Sequence, residues 1–382
     1  MVVSIKDGLK LIGVTIICFC AVYVCTFMLN YYIDVKPLGA DITDERLSAL
    51  YSAQIAMAKF TSIITGSVLG VIAAVMLVFY VKLYIDGRAR QLGIIKAMGY
   101  SRIKIALGFW VFGLSVFIGC ALGFAAGWAS MDMIYGSMTI DGVGVISPSF
   151  HAWLMFALVF APAAVFTALA CGYACFALRR PVMQLIRGAS KVRISQSGKD
   201  EKSEKDRKFL TEMSLKTLGS KKLLVFFVAF SCFCFSAMVQ MGLSMEDLTS
   251  DTMGYMILAI GLILAAVTTV MSVTSLINSN AKNIALMKAF GYTKTQRTLS
   301  VFGGFIPFAF VGFAVGTGYQ YGLLKIMVNV VFADVAEVPD YNFNVPVFFI
   351  TLAAFVVCYA AAAAAYSVVL NSFSVKKIMT EN

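Results

Sequence analysis

Eight long apolar runs constrain this chain of 382 residues more than any other feature. They lie at about Leu11–Leu29, Phe60–Tyr84, Ile105–Ala129, Trp153–Leu178, Leu223–Leu243, Tyr255–Ile277, Leu299–Leu324 and Val347–Leu370. Crossing a bilayer takes about 20 residues of helix, and every run reaches that length. Inside lipid each backbone N–H and C=O must find a partner within the protein, which a helix provides locally. The chain therefore reads as an all-α polytopic membrane protein with eight transmembrane helices. Composition agrees, with 60% hydrophobic residues, 13% charged residues and a mean hydropathy of +0.85. A soluble domain carries about 25% charge.

The loops divide by charge. Most Lys and Arg fall in the segments after the second, fourth, sixth and eighth runs and before the first and fifth. The opposite loops hold Asp34, Asp41, Asp44, Glu45, Asp334, Glu337 and Asp340, with Lys36 and Arg46 as exceptions. Basic loops stay in the cytosol, so both termini are expected there, in a bacterial cytoplasmic membrane. The net charge of +11 is spread by topology and forms no basic-aromatic patch, so nucleic acid is not an expected partner. All nine cysteines lie in apolar runs, where they act as small hydrophobes and predict no disulfide. The first run is as long as a full span and lacks a small-residue cleavage pattern, so no cleavable signal is expected.

Between the fourth and fifth runs lies the one strongly hydrophilic stretch, including Lys199-Asp200-Glu201-Lys202-Ser203-Glu204. It predicts a charged linker over 189–208, separating a four-span half at 1–188 from a second at 209–382. Phe209 to Lys222 predicts an amphipathic lead-in helix at the membrane surface.

The two halves repeat each other. Arg88-Ala89-Arg90-Gln91-Leu92-Gly93-Ile94-Ile95-Lys96-Ala97-Met98-Gly99-Tyr100-Ser101 follows the second run. Asn280-Ala281-Lys282-Asn283-Ile284-Ala285-Leu286-Met287-Lys288-Ala289-Phe290-Gly291-Tyr292-Thr293 follows the sixth, at an offset of 192 (288 − 96). Ala73-Ala74-Val75 matches Ala265-Ala266-Val267 at the same offset, and Gly119 and Gly123 match Gly312 and Gly316 at 193. Each half has an even number of spans, so both insert in the same sense. That implies two parallel four-helix repeats related by a pseudo-two-fold along the membrane normal. Two equivalent plugs then face the cytosol, and a two-fold symmetric partner is their natural complement. Besides their basic residues the plugs carry Leu92, Ile94 and Ile95, and Ile284, Leu286 and Met287. Apolar side chains in a short cytosolic segment call for a groove to fill. Gly99 and Gly291 stand where a helix C-terminal cap would end each plug.

The plug's order is basic, apolar, Gly or Ala, apolar pair, Lys-Ala, apolar, Gly-Tyr, Ser or Thr. It resembles the coupling segment of FtsX-type ABC transporter permeases, a family that includes MacB and the lipoprotein-releasing permeases. The Gly-rich third span and the tail Arg179-Arg180-Pro181-Val182-Met183-Gln184-Leu185 resemble the same family. The resemblance covers Phe60–Gly188 and Tyr255–Met379. It implies a permease subunit that moves an amphipathic or hydrophobic substrate such as a lipid, peptide, drug or haem. It further implies two copies of a cytosolic ABC ATPase as partners, bringing ATP and Mg, with no cofactor held by this chain. An extracellular substrate-binding lipoprotein is a further candidate partner. The coupling residues it points to are Arg90, Leu92, Ile94, Ile95, Lys96, Gly99 and Tyr100, with Lys282, Ile284, Leu286, Met287, Lys288, Gly291 and Tyr292. One departure stands out. Many relatives carry a large extracytoplasmic domain after the first span, and here that loop is short. The alternative is a non-transporting relay that signals ATPase state to an extracellular enzyme or sensor.

Other motifs weigh less. Gly119, Gly123 and Gly127, with Gly312 and Gly316, permit close helix contact, either within one half or as a sliding contact across the pseudo-two-fold. The spans hold almost no ionisable groups, which argues for an outside energy source over ion coupling. No phosphate-binding loop occurs, since Gly198-Lys199 is followed by Asp200. The chain is thus not expected to be an enzyme or to hold a metal. His151, the one histidine, reads as an interfacial polar residue.

Overall fold

The computed structural model describes residues 11–37, 45–137, 147–186, 222–245, 251–331 and 342–372. The linker at 189–208 and Asp41, Asp44, Asp334, Glu337 and Asp340 lie outside them. So does the expected lead-in helix, except for Lys222. Among the described residues there are helices and no strands, and eight helices are long and apolar enough to cross a membrane. The chain is an all-α, multi-pass membrane protein.

The first half contains α1 (Ile12–Val35), α2 (Glu45–Gly87), the short α3 (Ala89–Ala97) and α4 (Arg102–Leu107). Then come α5 (Trp110–Ala129), α6 (Met131–Ser137), α7 (Ala152–Met155), α8 (Ala161–Ala177) and α9 (Val182–Ile186). A π-helical turn at Phe156–Phe160 joins α7 to α8 just before Pro162, whose missing N–H disrupts the regular ladder. The second half contains α10 (Lys222–Met245), α11 (Asp251–Ala289), α12 (Lys294–Phe302), α13 (Ile306–Val331) and α14 (Val345–Ser372). The described residues form two compact units. The first is built mainly from Met1–Ser190 and the second mainly from the rest, with Thr249–Met253 and Leu323–Asn342 grouped with the first.

Each half is assembled around its first span. In the first half α1 packs against α2 and α5, and α8 lies outside against α5 and α2. Glycines set the spacing. A Cβ added at Gly119 or Gly123 would press into the carbonyl oxygens of Thr15 or Phe19 on α1. A Cβ at Gly312 or Gly316 would press into those of Ala229 or Phe233 on α10. The glycine rows therefore work inside each half, by letting its third span touch the backbone of its first. Thr15 Oγ1 adds a cross-helix hydrogen bond to the Ser115 carbonyl at 3.1 Å.

These contacts expose a repeat register in the first spans. Thr15 and Ala229 meet equivalent glycines, as do Phe19 and Phe233, at an offset of 214 (233 − 19). Cys18-Phe19-Cys20 aligns with Cys232-Phe233-Cys234 at that offset. Later spans align at 192 or 193, so the first half holds about 20 more residues between its first two spans.

Two boundaries differ from the sequence reading. The stretch between the first two apolar runs is largely helical, because α1 runs on to Val35 and α2 begins at Glu45. Tyr51 ties these extensions together by donating to the carbonyls of Val35 at 3.1 Å and Lys36 at 2.8 Å. The seventh span is broken at Gly303–Phe305 by one 3₁₀ turn, just before Pro307.

The halves fill their interiors differently. The second half buries Ser236, Gln240 and Thr317 as a hydrogen-bonded trio, with Gln240 Nε2 at 2.9 Å from Ser236 Oγ and 2.8 Å from Thr317 Oγ1. Phe313 and Phe355 lie 5.1 Å apart and join α13 to α14.

The glycine contacts yield a test. Gly119→Ala and Gly312→Ala force a backbone-to-backbone clash and should each cost about 1–3 kcal/mol, read as a lowered thermal midpoint in detergent. Gly172→Ala meets nothing within 4 Å and should leave that midpoint unchanged or slightly raised.

Candidate functional site

The repeated plugs form two short helical segments at the basic ends of the second and sixth spans. They are built differently. Arg88, at φ −115° and ψ 20°, separates α3 from α2. Its guanidinium sits 4.7 Å from the Tyr84 ring centre and donates to the Tyr84 hydroxyl at 2.7 Å. Tyr84 in turn packs edge-on against Phe109 and Phe112. The second plug has no such break, because α11 runs through it to Ala289.

Both plugs end alike. Gly99 has φ 93° and Gly291 φ 83°, the left-handed region that costs a glycine nothing. The Gly99 and Gly291 N–H groups donate to the carbonyls of Lys96 and Lys288, each at 3.2 Å. Tyr292 N–H adds a bond to the Met287 carbonyl at 3.1 Å, which completes a Schellman cap. The next helix starts at once in each case. Ser101 Oγ accepts from Lys104 N–H at 3.3 Å. Thr293 and Gln296 form a reciprocal capping box.

The exposed surface of the plugs is not the apolar set that spacing suggested. Leu92, Ile284 and Met287 are buried within the chain itself. Ile95 and Leu286 are half-buried, and Lys288 and Tyr292 likewise. Arg90, Ile94 and Tyr100 are exposed. The most exposed apolar side chains are Met98 at 71% and Phe290 at 78%, equivalent positions at an offset of 192. Each stands one residue before the left-handed glycine, where the helix has ended and the side chain turns away from the bundle. Their common place before Gly-Tyr was the sequence signal for them. The side chain of Lys282 lies outside the described residues.

Lys96 is engaged inside its own half. Its ammonium donates to the carbonyls of Leu178 and Arg180, both at 2.8 Å, at the end of α8. Arg180 meets Asp86, at the end of α2, at 3.2 Å. The short α9 packs against α3 through the buried Leu185.

At the other end of the first half a polar knot gathers α1, α6 and the segment before α7. Asn30 Nδ2 lies 3.0 Å from Asp34 Oδ2, 3.2 Å from the Tyr135 hydroxyl and 3.0 Å from the Ser149 carbonyl. Asn30 Oδ1 is 2.9 Å from His151 Nδ1, and Tyr135 donates to Asp34 at 2.9 Å. His151 Nε2 lies 3.8 Å from Asp34 Oδ1. Burial pushes the Tyr135 phenol well above its ordinary pKa; the Asn30 bond lowers it and the Asp34 carboxylate raises it further. The sequence marked His151 as interfacial but gave no sign of this network, which joins Asn30 and Asp34 to residues over 100 positions later.

The FtsX-like permease C-terminal model matches residues 63–181 and again 255–374. No curated protein and no solved structure gives a significant match. The two matches cover most of the chain and coincide with the paired plugs and their flanking spans. This chain belongs to the FtsX-like permease family, as two fused repeats, and is a membrane permease component of the ABC transporter type rather than a catalytic subunit.

The polar knot carries its own test. Asn30→Leu removes the group that joins Asp34, Tyr135, Ser149 and His151, leaving buried polar atoms unmatched. It should destabilise the first half by about 1–3 kcal/mol, seen as a lower unfolding midpoint, while His151→Gln, which keeps one hydrogen bond, should cost less.

Proposed function

We propose that this chain is the membrane subunit of a bacterial ABC transporter, driven by two copies of a separate cytosolic ATPase seated on the plugs. Both plugs and both termini face the cytosol in this reading, the side that basic loops favour. A charged linker over 189–208 joins the four-span halves at 1–188 and 209–382. The observation that carries the reading is the pair Met98 and Phe290, exposed apolar side chains at equivalent positions beside matching left-handed caps. An apolar knob on each of two repeated segments suits a groove repeated on two identical partner subunits. Arg90, Ile94 and Tyr100 flank the first knob, and Lys282, Lys288 and Tyr292 belong to the second segment. Basic groups there would meet acidic groups on the ATPase.

ATP and Mg act in the partner, and closure of its dimer would push on the two segments. Spans 2, 3, 6 and 7, which flank them, would carry the movement. The spans hold almost no ionisable groups, which supports an amphipathic or hydrophobic substrate and an external energy source. The acidic outer loops suit a cationic substrate or a basic extracellular lipoprotein.

Met98→Asp combined with Phe290→Asp should reduce copurification of the co-expressed ATPase at least tenfold, as loss of a central apolar anchor does. Membrane levels of the chain should not change, because neither side chain contributes to its core. Undiminished copurification would refute docking at these segments.

A further inference from the structure

The ammonium of Lys96 lies between two carbonyl oxygens of another span, and this assigns it a task within the chain. Span 4 ends at Ala177, and Pro181 follows. A proline has no N–H, so Pro181 cannot donate back across this turn. Lys96 instead supplies the donor to two carbonyls just beyond the helix end, at Leu178 and Arg180, each at 2.8 Å. A cation at a helix C-terminus is also favoured by the helix dipole. Here the cation comes from a residue 82 positions earlier, on the plug helix.

Two further contacts close the same joint. Arg180 reaches back to Asp86 at the end of span 2 at 3.2 Å. The short α9 lies on α3 with Leu185 buried. Asp86, Lys96 and Arg180 thus tie the end of span 2, the plug helix and the end of span 4 into one unit. The second repeat is different by sequence: Asn278 stands where Asp86 does, at 192, and Phe373 where Arg180 does, at 193. That ion pair has no counterpart there. Instead α11 continues unbroken from span 6 into its plug.

We propose that Lys96 is a positioning residue that fastens the first coupling helix to the end of span 4, so that movement of that helix is passed to span 4 as well as span 2. The movement in question rests on the ATPase reading above; the fastening does not. In the second repeat the plug is a direct continuation of span 6.

Amide hydrogen exchange of the full-length chain in lipid nanodiscs tests this, alone and with its ATPase and ATP. In the chain alone, Lys96→Met should speed exchange over 178–186 about tenfold or more, the loss expected for two charge-assisted hydrogen bonds, and leave 251–289 unchanged. Lys96→Arg, which keeps a cationic donor, should restore most of the protection. Asp86→Asn, which opens only the exposed ion pair, should speed exchange over the same segment by a few-fold at most. With the ATPase present, Lys96→Met should copurify as the natural chain does but lose the ATP-dependent change in exchange over 161–186. Unchanged exchange over 178–186 in Lys96→Met would overturn the fastening. So would loss of ATPase copurification with that exchange intact, which would make Lys96 a docking contact. If the natural chain recruits no ATPase, the transporter reading fails, while the comparison in the chain alone still decides the role of Lys96.

Discussion

Close approach of backbones holds each half together. In lipid, apolar side chains gain little by leaving their surroundings for one another, so helices associate through packing and hydrogen bonds. Gly119 and Gly123 bring the third span onto the carbonyls of Thr15 and Phe19, and Gly312 and Gly316 bring the seventh onto those of Ala229 and Phe233. With that contact fixed, the remaining spans have a surface to lie on. The second span packs against the first and the sixth against the fifth, each within its own half, and the fourth and eighth stay on the outside, the least buried of their halves. The position of each plug follows, because each plug extends a span that the central helix holds in place.

The plugs combine a rigid ending with an exposed knob. A left-handed glycine stops the helix, a hydrogen-bonded cap starts the next one, and one large apolar residue is left facing outward between them. Met98 and Phe290 thus each stand at the junction of two consecutive spans. In the first half Lys96, two residues before Met98, is bonded to the end of span 4 as well.

Much of this was legible in the sequence, for physical reasons. Eight apolar runs specify spans, because hydrocarbon leaves the backbone no other solution. The duplicated plug showed the repeat, and the glycine rows showed where helices touch, though not which helices. Only the contacts with Thr15 and Ala229 settled that. The sequence also misjudged which faces were free. Ile94 and Leu286 stand two residues from Leu92 and Ile284, on the other side of the helix, so each plug is apolar on two faces and spacing alone cannot say which face meets the protein's own spans. The Asn30 knot was hidden because its partners come from distant segments. The 214-residue register was present in the matching Cys-Phe-Cys triplets, but it differs from the offset of the later spans and was obscured by it.

The Asp86–Arg180 pair occurs in one repeat only, and so do the Asn30 knot and the Gln240 trio. In a transporter made from two copies of one shorter gene product, any substitution would appear on both sides of the axis at once. Joining the copies in one polypeptide removes that constraint. Each half can then take on residues that would be harmful if doubled.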